Sequence, residues 1–129
     1  MELADSMQIR VLIAEPDGPL LETYERFLSR QGFDLVTASN GPECVNALRQ
    51  QPADVLLLEP DLPDGWGQRL LRMMHDHELP VIPVIVLSRR DELLDSPSVC
   101  ITFHKPTSLS LIAGKIRELV GANGSADGT

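Results

Sequence analysis

Two patterns of apolar and polar positions alternate along the chain. Short, mostly apolar stretches occur at residues 9–14, 33–38, 54–58, 82–87 and 99–103, and each predicts a strand. Between them, apolar residues recur every three or four positions. The stretch 18–31 sets Leu20, Leu21, Tyr24, Phe27 and Leu28 on one stripe, with Asp17 to cap it, Pro19 in its first turn and Gly32 to end it. A second helix starts at Asn40-Gly41-Pro42 and carries Cys44, Val45 and Leu48. A third covers 66–77, with Leu70, Leu71 and Met74 facing inward, and a last one covers 108–120, with Leu109, Leu111, Ile112, Ile116 and Leu119. Pro80 and Pro83 punctuate the start of the fourth strand, where proline is tolerated. Between the fourth and fifth strands, residues 91–95 can make little more than one helical turn, so the helix there is short or missing.

Strands that read as nearly continuous apolar runs are buried on both faces, and strands alternating with helices belong to a parallel sheet. The expected fold is therefore α/β, with one domain over 8–120. Residues 1–7 form an N-terminal extension, and 121–129 (GANGSADGT), lacking an apolar anchor, read as a disordered tail or linker to a further domain.

Composition narrows the function. A net charge of −8 over 129 residues argues against nucleic-acid binding by this domain, which needs clustered Lys and Arg. No apolar run approaches the roughly 20 residues that span a bilayer, and the acidic start does not resemble a signal peptide. A cytoplasmic location follows as the expectation. Cys44 and Cys100 both lie in apolar patterns and read as buried thiols of a reducing compartment. The first strand-to-helix turn, EPDGPL, has a single glycine and none of the spacing of a nucleotide-binding loop.

The chemistry concentrates at strand ends. The first strand stops at Glu15-Pro16-Asp17 and the third at Glu59-Pro60-Asp61, the latter followed by the stiff loop Leu62-Pro63-Asp64-Gly65-Trp66-Gly67. Adjacent parallel strands would gather Glu15, Asp17, Glu59 and Asp61 into one acidic pocket at the carboxyl edge of the sheet, where open α/β folds place their sites. Ser88 closes the fourth strand, and Lys105-Pro106 follows the fifth.

These landmarks, in this order, resemble the receiver domains of two-component response regulators, and the resemblance covers about residues 8–120. It implies a doubly wound, flavodoxin-like sheet of five parallel strands in the order 2-1-3-4-5. It also implies an aspartate after the third strand that accepts a phosphoryl group from a histidine kinase, with Mg²⁺ held by the first acidic pair and a nearby carbonyl. A hydroxyl at the position of Ser88 and an amine at the position of Lys105 would contact phosphoryl oxygens. The peptide bond before Pro106 is a candidate for the cis form.

This chain departs from that pattern at several positions. Position 59 is Glu, one methylene longer than the family's acceptor Asp, and phosphoryl transfer is sensitive to displacements of about an ångström. Pro16 stands where the family carries a metal-binding acid, so any Mg²⁺ would fall to Glu15, Asp17, Glu59 and Asp61, and the exacting geometry of that ion weighs against it. Arg89 replaces a small residue and is expected to fill the pocket and pair with Glu59 or Asp61. Thr102 replaces a switch aromatic three positions before the lysine.

The expectation is a degenerate receiver, not an enzyme, that serves as a phosphorylation-independent protein-interaction module. Its partner would be a kinase, an output domain or an effector, and a homodimer is open. The alternative is a working phospho-acceptor that uses Glu59 or Asp61 with Mg²⁺. Arg89 and Arg90 offer a small basic pair for an acidic partner. His75 and His77 read as a solvated helix end, His104 as a strand residue, and Trp66 either as a partner anchor or as packing over Pro60 or Pro63.

Overall fold

The computed structural model describes residues 8–90 and 96–128, with side chains described as far as Gly121. Five strands form one parallel sheet: β1 (Arg10–Ala14), β2 (Asp34–Ala38), β3 (Val55–Leu58), β4 (Val84–Ser88) and β5 (Val99–His104), in the order β2-β1-β3-β4-β5. The helices are α1 (Gly18–Arg30), α2 (Gly41–Gln50), α3 (Trp66–His75) and α4 (Leu109–Gly128). This is the doubly wound arrangement expected. The short or missing helix expected over 91–95 lies outside the described residues.

Alternation along the central strands sorts their side chains into two layers. Val11, Ile13, Val55, Leu57, Ile85 and Leu87 pack with Tyr24 and Leu28 of α1 and Ile112 and Ile116 of α4. Leu12, Ala14, Leu56, Leu58, Val84 and Val86 pack with Cys44 and Leu48 of α2 and Leu70 and Met74 of α3. Both faces are covered, which is why β1, β3 and β4 read as unbroken apolar runs.

Helix ends follow local chemistry. The Asp17 carboxylate accepts from the Leu20 N–H and starts α1, and the Asn40 side-chain amide oxygen accepts from the Glu43 N–H and starts α2. Gly32, at φ 92°, closes α1, with Gly32 N–H donating to Ser29 O and Phe33 N–H to Leu28 O. The same closure ends α3 two residues before the expected His77: His77 itself adopts φ 62°, and Glu78 N–H donates to Met73 O at 2.8 Å. Strand β4 begins at Val84, not Ile82, because Pro83 offers only its carbonyl to the ladder, accepting from Leu56 N–H. The last helix runs on to Gly128, past the expected end at Val120 and through the stretch read as a tail.

One expectation fails. Cys44 is buried in α2, but Cys100 is exposed, because β5 is an edge strand whose side chains alternate between inward and outward. Burial pushes the Cys44 thiol up to about 12. In native buffer a disulfide reagent should therefore titrate one thiol rapidly, that of Cys100, and a second only after unfolding in urea. Equal reactivity of the two would contradict this packing.

Candidate functional site: a buried lysine between two glutamates

Glu15 and Glu59 lie one residue past β1 and β3, which are neighbours in the sheet. By the alternation that places Ile13 and Leu57 in the α1/α4 layer, both carboxyl groups face that same layer. Lys105 follows β5 and is anchored by its backbone N–H donating to Ser88 O at 2.8 Å. The Lys105–Pro106 peptide bond is cis. From there the Lys105 ammonium donates to Glu15 Oε1 at 2.5 Å and to Glu59 Oε1 at 2.7 Å.

The second oxygen of each carboxylate accepts from the backbone of its own loop. Asp17 N–H donates to Glu15 Oε2 at 3.2 Å, and Asp61 N–H donates to Glu59 Oε2 at 2.9 Å. The three residues are 3%, 8% and 4% exposed for Glu15, Glu59 and Lys105. Charges this deeply buried persist only when paired and hydrogen-bonded, as these are. Two carboxylates against one ammonium leave the cluster with one net negative charge.

That charge acts on Tyr24, a residue whose periodicity indicates only a place in the core. Burial first, then the negative fields of Glu15 and Glu59, push its phenol up to about 12, with Arg89 opposing them. Nothing in the sequence around position 24 signals this, because the acids reach it through the fold.

Several expected site residues lie elsewhere. The Asp17 carboxylate is turned to the Leu20 N–H at the start of α1. Asp61 is exposed and pairs with a guanidinium at 3.3 Å, but that guanidinium belongs to Arg90, not Arg89. Arg89 is exposed and does not fill the pocket. The Ser88 hydroxyl is buried and accepts from Arg90 N–H at 3.0 Å. Among the described residues, no group of three or more His, Cys, Asp or Glu is arranged to hold a metal. The Mg²⁺ ion that the resemblance implies does not fit this donor set: Asp17 and Asp61 are turned away, and an ammonium stands between Glu15 and Glu59.

The loop after β3 is held by close packing. A Cβ on Gly67 would come 1.9 Å from the Pro60 carbonyl oxygen, and one on Gly41 would come 2.0 Å from Trp66 Cγ. Trp66 thus lies against the first residue of α2, and the Arg69 guanidinium sits 4.1 Å from its ring centroid. Asp64 and Gly65 take left-handed backbone in between. This fixes where Asp61 N–H meets Glu59.

The chain belongs to the response regulator receiver domain family, whose profile matches residues 11–101. It is similar to the probable transcriptional regulatory protein TcrX of Mycobacterium tuberculosis, with 32% identity over 74% of this chain and 40% of that protein. It is also similar to the transcriptional regulatory protein TrcR of the same organism, with 28% identity over 91% of this chain and 47% of that protein. The chain thus spans under half the length of these curated relatives. Its fold matches the crystal structure of a CheY-like response regulator receiver domain protein from Methanospirillum hungatei JF-1. That likeness has a TM-score of 0.82 and 21% identity, over 92% of this chain and 98% of that one. No helix among the described residues is long and apolar enough to cross a membrane.

Two measurements check this geometry. The single tyrosine of the chain should ionise near 12 in the folded state by phenolate absorbance, and near its ordinary 10.0 in urea. Because the folded state holds that proton more tightly, stability should be full below about pH 10 and fall as pH rises through about 12. Separately, Gly67→Ala should lower stability by more than about 2 kcal/mol in urea titrations. Gly114→Ala, on α4 with open space around it, should raise stability by about 0.5–1 kcal/mol.

Proposed function

We propose that this receiver domain acts in two-component signalling as a protein-interaction module that does not depend on phosphorylation and catalyses no reaction of its own. The observation that carries the reading is the state of the Glu59 carboxylate, at the position where receivers carry their acceptor. One oxygen is bound to the Lys105 ammonium and the other to the Asp61 N–H. A nucleophilic carboxylate must present a free oxygen in line with the entering phosphorus. Both oxygens of Glu59 are engaged, its chain is one methylene longer than that of Asp, and the metal that would neutralise the transferring group lacks ligands.

On this reading Ser88 and Lys105 serve structure. The Ser88 hydroxyl shapes the turn into Arg89-Arg90, and Lys105 ties three strand ends together. The partner is a protein, a kinase, an output domain or an effector, met in the cytoplasm. Nucleic acid and membranes are not its targets, in keeping with a net charge of −8.

The test is phosphoryl transfer. After incubation with radiolabelled acetyl phosphate and Mg²⁺, the wild-type chain should carry no acid-labile label. Stoichiometric label that is lost in Glu59→Ala or Asp61→Ala would establish a working acceptor and overturn the proposal.

A further inference from the structure

We infer that the outer edge of β2 is a self-association surface: two copies of this chain pair their β2 strands antiparallel about a two-fold axis at Val36, joining their sheets into one. The inference concerns the free edge of the sheet and stands apart from the state of the Glu59 pocket.

β2 ends the sheet, and no described strand lies beyond it. The two ends of its ladder show which residues face outward. Asp34 N–H donates to Ile9 O at 2.9 Å, and Ala38 O accepts from Glu15 N–H at 3.0 Å. Bonding alternates along a parallel pair, so Asp34, Val36 and Ala38 bond to β1, and Leu35 and Thr37 turn their N–H and C=O groups away from it. Before them, Phe33 N–H is taken by Leu28 O; after them, Ser39 N–H is taken by Glu43 Oε1. The open edge is therefore Leu35 and Thr37, each with one donor and one acceptor.

That set matches itself. With Val36 of one copy opposite Val36 of the other, Leu35 of each copy faces Thr37 of its mate, and each such pair exchanges two hydrogen bonds. Every outward group finds a partner. Registers centred on Leu35 or Thr37 bring up Phe33 or Ser39, whose N–H groups are already engaged.

Proteins ordinarily blunt an exposed edge with proline, lysine or a bulge. β5, the other edge, has a register shift in its ladder with β4. β2 has none of these devices: its five residues DLVTA pair with β1 in unbroken register. Its one charged residue, Asp34, is bound to Arg10 at 2.7 Å. Beside the edge, a groove of about 320 Å³ runs between β2 and α2, lined by Val36, Asn46, Ala47 and Gln50 among others. Its one charge, Glu43, stands at the Ser39 end. The two-fold axis brings the Asp34 end of the other copy there, and with it the Arg10 guanidinium, of opposite sign. The contact is small and each copy carries a net charge of −8, so the dimer is weak and screening strengthens it.

The experiment is sedimentation velocity of the full chain over a concentration series, with amide hydrogen exchange as a second readout. The wild type should dimerise with a Kd below about 1 mM, and more tightly as salt is added. The Leu35 and Thr37 amides should gain protection as concentration rises, while that of Val36, bonded to β1, is protected throughout. Thr37→Pro removes an outward N–H and leaves the ladder to β1 whole, so it should raise Kd at least about tenfold. Asn46→Lys and Asn46→Asp, on the exposed side of α2 beside Val36, should each weaken self-association, and mixing the two variants should restore it. This pair keeps the test open if Thr37→Pro does not fold. Leu111→Glu, at an exposed position of α4, should change nothing.

A wild type that stays monomeric up to about 1 mM would sink the inference. So would a dimer that salt weakens, or one that Leu111→Glu breaks and the Asn46 variants leave intact.

Discussion

The rest of the site depends on one constraint: a buried cation must find two buried anions, and those anions must come from different strands. Lys105 can satisfy Glu15 and Glu59 together only because β1 and β3 are adjacent and end at the same level. The amine itself arrives from beyond β5, on the far side of β4, and its backbone is tied to Ser88. The cluster therefore ties together the ends of β1, β3, β4 and β5, and the Glu15 N–H extends it to β2 by donating to Ala38 O at 3.0 Å. Its net contribution to stability is modest, since desolvation offsets attraction, but removing the Lys105 side chain leaves two buried carboxylates without a cation and costs about 3–5 kcal/mol. Its main effect is specificity of arrangement at the sheet's carboxyl edge.

The loop after β3 is the second half of that arrangement. Its acids divide by position: Glu59 is drawn inward by Lys105, while Asp61 faces solvent and meets Arg90. The division is set by packing. Gly67 lets α3 approach the Pro60 carbonyl, and Gly41 lets Trp66 lie on the start of α2. With both ends of the loop held against neighbouring elements, the Asp61 N–H is left pointing at Glu59 Oε2. The acidic run in the sequence is thus two different environments three residues wide.

How much of this could be read in advance varies by physical cause. The sheet was legible because burial on both faces leaves only apolar residues to choose from in β1, β3 and β4, and because Gly32 and Asp17 are local signals for helix ends. The convergence of Glu15, Glu59 and Lys105 on one edge followed from strand ends and the spacing of the family's landmarks. The end of α3 did not, since His77 in left-handed backbone is a tertiary outcome that composition does not announce. Nor did the exposure of Cys100, because an apolar-looking edge strand reads like a central one until its neighbours are known. Arg89 and Arg90 differ by one position and no chemistry, so only the turn after Ser88 decides which guanidinium reaches Asp61. Tyr24 was readable as core and unreadable as a neighbour of the acids.

A pocket held in this way also bears on how the domain can signal. A ligand shifts a conformational equilibrium only by the difference in its affinity for two states. Moving Lys105 away from either glutamate would leave a buried charge uncompensated, and a gap of about 4 kcal/mol keeps such a state near one part in a thousand. A partner that recognised the displaced state would have to supply that energy from its own contacts. A partner that recognised the resting state would meet a surface already assembled, with no conformational tax on its affinity. The ion cluster therefore favours a domain that presents one constant surface at the carboxyl edge of its sheet.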